Sequence, residues 1–100
     1  MIQQDVRLAR GMATGYVIQA GPVSIVAVIA GKGMVGCGAF DVVALGNHGY
    51  PAVRVRSCDG KPIISIAELL SAEVRDANEP ARALGVVGGM SGREALDLLN

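Results

Sequence analysis

Apolar positions in the first third of the chain follow strand rather than helix periods. Ile2, Val6 and Leu8 fall on even positions, as in an edge strand or a terminal arm. Gly15–Gln19 and Val23–Ala30 flank Gly21-Pro22, a turn dipeptide, and predict a hairpin. Apart from Ser24, the second run is wholly apolar, which places it centrally with both faces covered. Ala39, Val42, Val43 and Leu45 then give one side to a short helix over Gly38–Gly46, closed by Gly46-Asn47. Asn47–Pro51 reads as a loop. Val53 and Val55 alternate with Arg54 and Arg56, so the next strand is half-buried with a charged outer face. Asp59-Gly60 is a turn signal, and Ile63-Ile64 is expected to return as a hairpin partner.

Two capping boxes mark helix starts in the second half. Ser65 and Glu68 open one whose apolar side is Ile66, Leu69, Leu70 and Val74. Ser91 and Glu94 open a C-terminal helix burying Ala95, Leu96 and Leu99. Between them a short helix starts near Asn78, with Pro80 in its first turn and Gly85 at its end, followed by Val86-Val87 as a short strand or connector. Strands first and helices later predict a single α+β domain over residues 1–100. The expected architecture is a small, mainly antiparallel or mixed sheet with three to four short helices packed on one face.

Composition narrows the function. Hydrophobic residues make up 51 % of the chain, but Tyr16, Phe40 and Tyr50 are the only aromatic ones, so the core must be aliphatic. That much apolar content on a small surface predicts a homo-oligomer, a dimer or trimer. Net charge is zero and the basic residues are scattered, which argues against a nucleic-acid partner. No apolar run approaches the ~20 residues that span a bilayer, and the N-terminal residues lack a signal-peptide core. Two cysteines in such a chain read as free thiols in a cytoplasmic protein. One histidine and two cysteines have no recognised metal-ligand spacing, and no cofactor is implied.

Candidate chemistry concentrates in Gly31-Lys32-Gly33-Met34-Val35-Gly36-Cys37-Gly38. Gly31, Gly33 and Gly36 match the dinucleotide fingerprint and follow a predicted strand. The helix after them is too short, however, and the next strand runs into Arg54, Arg56 and Ser57 rather than an acid, so a tight turn into a helix fits better. Cys37 is the candidate nucleophile: near a helix N-terminus a thiolate is stabilised, although a free cysteine often only fills space. Asp41, one turn into that helix, either complements its dipole or faces Cys37. His48 lies at the far end, roughly 16 Å away at ~1.5 Å per residue, beyond proton-transfer reach. Ser91 and Arg93 beside Gly88-Gly89 could hold a small anionic ligand, but the capping box competes for the same amides. Gly33, Gly36, Gly38, Ser91 and Arg93 are therefore the candidate ligand-binding residues, and Cys37 with Asp41 the candidate catalytic pair.

Three blocks carry a resemblance: Gly33–Asp41, Ser65–Leu70, and Gly85 followed by Gly89–Leu96. In them, and over most of the chain from Val23 on, the sequence resembles the YunC-like family, domain of unknown function 1805. The resemblance implies a small cytoplasmic α/β or α+β domain with no established activity, substrate or cofactor, so it carries over no catalytic residue. The chain departs from the family pattern at Ser57–Ile64, where members pass more directly from strand to helix. Residues and resemblance together point to a domain acting by binding or homo-oligomeric assembly. The alternative is a thiol-dependent enzyme or redox-sensitive protein built on Cys37.

Overall fold

The computed structural model describes residues 1–100. Six strands form one mixed sheet in chain order: β1 (Ile2–Leu8), β2 (Gly11–Ala20), β3 (Val23–Ile29), β4 (Met34–Gly36), β5 (Ala52–Arg56) and β6 (Glu73–Ala77). Neighbours pair antiparallel except β4 and β5, which run parallel and are bridged by helix α1 (Val42–Gly46). Helices α2 (Ile66–Ser71), α3 (Glu79–Ala83) and α4 (Gly92–Leu99) follow. The α+β class and the mixed sheet are as expected, and β1 is a fully paired edge strand, Ile2 facing Val17 and Leu8 facing Gly11.

The main core comes from strand alternation. Val6, Leu8, Val17, Val26, Val28, Val35, Val53 and Val55 point to one face, where α2 and α4 lay Ile66, Leu69, Leu96 and Leu99 over them. Each fully buried leucine contributes about 2 kcal/mol by area removed from water. Ala27, Met34 and Ala52, one residue out of phase, point the other way and form a second cluster with Val42 of α1. The helices therefore do not all share one face: the parallel crossover carries α1 to the opposite side. There α1 covers the β4–β5 half of the sheet. Met12, Ile18, Val23 and Ile29, at outward positions of β2 and β3, remain 44–55 % exposed. No helix is long and apolar enough to cross a membrane.

Two local expectations are corrected. Ile63-Ile64 forms no strand, because the edge of β5 pairs with β6 (Val53 with Ala77, Val55 with Val74). The Ser57–Lys61 loop instead satisfies its polar groups locally: the Ser57 hydroxyl donates to the Lys61 carbonyl, and the Lys61 amide donates to Asp59 Oδ1 at 3.0 Å. Pro62 lacks a ladder donor, and Ile63 drops into the core as a plug. Helix α2 also ends at Ser71, so Val74 belongs to β6, where its amide donates to the Met90 carbonyl at 2.8 Å. Val86-Val87 is a connector, with Val86 buried and Val87 exposed.

Candidate ligand crevice beside the parallel strand pair

Parallel strands end on the same side, and the chain beyond both must diverge, leaving a crevice. After β4 the chain turns through Gly38-Ala39, with the Phe40 amide donating to the Cys37 carbonyl at 3.4 Å. Asp41 then caps α1, Oδ1 accepting from the Val43 and Ala44 amides at 3.1 Å each. The helix begins only at Val42, not at Gly38 as its apolar spacing suggests: with Asp41 holding the first amides, the glycine-containing segment ahead is left as a turn. Cys37 is thus off the helix terminus. It continues the β3–β4 pairing by one step, its amide donating to the Val26 carbonyl at 3.0 Å and its Sγ accepting from the Val26 amide at 3.4 Å. The side chain is 7 % exposed and belongs to the main core.

The expected behaviour of that thiol follows. In the native protein Cys37 should alkylate at least about a hundredfold more slowly than Cys58, which is exposed, because it must wait for local opening. Mass spectrometry of partly modified protein reads both rates in one sample. Comparable rates would return Cys37 to the list of reactive groups.

The glycines have packing reasons. A Cβ on Gly33 would stand 2.3 Å from the Pro51 carbonyl oxygen, and one on Gly36 would enter the Phe40 ring. Of the three candidate glycines only Gly38 is open, with nothing within 4 Å, and it lines the crevice. Ser91 and Arg93 lie elsewhere. Ser91 Oγ accepts from the Glu94 amide at 3.1 Å, Glu94 returns the bond, and Arg93 Nη1 donates to the Arg7 carbonyl at 2.9 Å, tying α4 to β1. His48 sits beyond the far end of α1, exposed, past the cap residue Asn47.

The crevice itself lies between α1 and α3, about 990 Å³, and extends from Gly38–Val43 to Asp76–Pro80. Arg54 of β5 and Asp76 of β6 lie opposite each other in register and form the chain's one ion pair, Nε to Oδ2 at 2.8 Å with Nη2 also engaged. Both side chains keep about two-fifths of their surface exposed, at 39 % and 42 %. Such a pair adds little stability but presents an oriented charge on each side. Arg82 Nη1 donates to the Ala77 carbonyl at 2.9 Å on the α3 wall, and Glu79 lies nearby.

Asn78 joins the walls. Its Oδ1 accepts from the Ala52 and Ala81 amides at 3.1 Å each, and its Nδ2 donates to the Val42 and Tyr50 carbonyls at 2.9 Å each. One 7 % exposed amide therefore caps α3, holds the start of β5, and ties down both ends of the α1 segment, with every hydrogen-bonding valence used. Tyr50 packs on the second cluster, and burial pushes its hydroxyl pKa up, keeping it a neutral phenol.

Of the candidate residues, Gly38 and Asp41 line the crevice, Cys37 borders an adjoining hollow, and the other four do not contribute. Arg54, Asp76, Asn78 and Arg82 were not among the sequence candidates. Asn78 was legible only as a helix start, and the one signal of Arg54 was the Arg-Val-Arg alternation of β5, which reads as a solvated face until β6 is placed beside it.

A crystal structure of a protein of unknown function from Thermoplasma acidophilum has the same fold: TM-score 0.87 over 99 % of this chain and 92 % of that one, at 21 % identity. No curated protein matches the chain significantly. A family model described as domain of unknown function (DUF1805) matches residues 36–99, from the end of β4 through α4, and so takes in both walls of the crevice. The chain belongs to the DUF1805 family.

Proposed function

We propose that this chain is a binding module that takes a small polar ligand in the crevice between α1 and α3. The observation that carries the reading is the Arg54–Asp76 pair exposed on the floor of a 990 Å³ crevice. An oriented cation and anion side by side suit a ligand with both a hydrogen-bond acceptor and a donor. Asn78 supports the reading from below, since walls held by four hydrogen bonds lose little entropy when a ligand binds. The groups around the crevice are engaged in a cap, an ion pair and a carbonyl contact, which suits holding a ligand rather than transforming it.

Ala83 on the α3 rim is exposed and lines the crevice, so Ala83→Trp should fill it without disturbing the core. Thermal-shift screening of polar metabolites is expected to find ligands that stabilise the native chain and not Ala83→Trp. Saturation at one hundred times Kd corresponds to about 2.7 kcal/mol. Stabilisation that survives the tryptophan, or none across a panel at millimolar concentration, would overturn the reading.

A further inference from the structure

Beside the crevice, reached past Gly38 and Arg54, lies a hollow of about 340 Å³ at the carboxyl end of β5. Its lining is unusual in charge. Arg54, Arg56, Lys61 and Arg75 all border it, and no carboxylate does. These are four of the nine basic residues in a chain of zero net charge, drawn from β5, β6 and the Ser57–Lys61 loop. Asp76 neutralises Arg54, but Arg56, Lys61 and Arg75 form no ion pair. Glu73, the register partner of Arg56, does not line this hollow but borders an adjoining one that shares Arg56, Ser57, Gly60 and Arg75, and Asp59 spends Oδ1 on the Lys61 amide.

A second observation bears on Arg75. The β5–β6 register shifts between Arg54 and Val55, so that Arg54 faces Asp76, Val55 faces Val74, and Arg75 is the extra, unpaired residue of a bulge. A regular ladder would have placed position 75 opposite a β5 residue; as the bulge residue, Arg75 borders this hollow and the adjoining one. The loop side is equally organised, closed by the Ser57 hydroxyl on the Lys61 carbonyl. Like charges gathered around a concave surface repel one another and focus a positive potential there, and an anion relieves both.

We propose that this hollow binds a compact multivalent anion, of the phosphate-ester or polycarboxylate class, gripped by Arg56, Lys61 and Arg75. Arginine forks match both oxygen geometries, and the volume suits a group of a few heavy atoms. The assignment rests on the reading of the crevice as a binding site, for which it supplies the charged end of the ligand.

Calorimetric titration at low salt tests it with pyrophosphate, citrate and, as neutral control, glycerol. The native chain is expected to bind pyrophosphate or citrate and not glycerol; whichever binds more tightly identifies the class. Arg56→Gln with Arg75→Gln should weaken that binding at least about tenfold. Both side chains are exposed, so the melting temperature should hold. Arg10→Gln with Lys32→Gln removes the same charge elsewhere and should leave the affinity unchanged. No anion binding to the native chain, or equal losses in the two double variants, overturns the proposal. If anions fail while ligands sensitive to Ala83→Trp still bind, only the anion assignment falls; if both fail, the crevice reading falls with it.

Discussion

Asn78→Ala is expected to remove about 3–4 kcal/mol of folding stability, much of what a domain of this size holds. The substitution leaves the Ala52 and Ala81 amides and the Val42 and Tyr50 carbonyls without their partner in a place with little access to water. It also strips α3 of its N-cap, worth about 1 kcal/mol by itself. Urea unfolding followed by circular dichroism gives the number. A loss under about 1 kcal/mol would mean that water replaces the amide at no great cost and that Asn78 does not hold the crevice together. Asn78→Asp separates acceptor from donor. It keeps the bonds from the two amides but turns a carboxylate towards two carbonyls, which raises its folded pKa. Its deficit should therefore be smallest in acid, where the carboxyl is protonated in both states, and grow as pH rises above about 4.

Gly33→Ala should be the second severe change, at about 2–4 kcal/mol. The new methyl would meet the Pro51 carbonyl oxygen at 2.3 Å and the Pro51 Cβ at 2.8 Å. Neither is a flexible tip that can swing aside. The same carbonyl accepts from the Met34 amide at 3.0 Å, so moving Pro51 away weakens the start of the parallel pair. Gly38→Ala is the internal control. Nothing lies within 4 Å and its φ is not in the left-handed region, so alanine should be neutral or stabilise by up to about 1 kcal/mol. Thermal melts of the two variants side by side decide the point. Equal melting temperatures would show that the β4–β5 contact yields easily.

Local patterns carried most of the secondary structure. The Gly21-Pro22 hairpin, the Ser65 and Ser91 caps and the Asn78 start of α3 are where the sequence places them, because each is specified within a few neighbouring residues. The misreadings occur where partners are distant. Ile63-Ile64 has the composition of a strand, yet the edge it would have used is taken by Glu73–Ala77. Val74 continues the helical spacing of Ile66 and Leu69, but pairing with β5 and with the 89–91 segment draws it into a strand.

The candidate site divides in the same way. Cys37, Gly33 and Gly36 stood out in the sequence for their residue types, and packing accounts for all three. The polar groups that line the crevice are common residue types, two arginines, three acids and two asparagines, of which the sequence marked only Asp41 and, as a helix start, Asn78. Periodicity and capping act over a few residues, so the sequence alone carries the α+β class, an aliphatic core, the starts of α2, α3 and α4 and the end of α1. Only the tertiary structure decided that α1 crosses to the second face, that Asn78 joins three segments, and that Arg54 meets Asp76 across 22 positions. Those contacts depend on strand register and on one parallel crossover, which are settled by the summed burial of the whole sheet rather than by any stretch of chain.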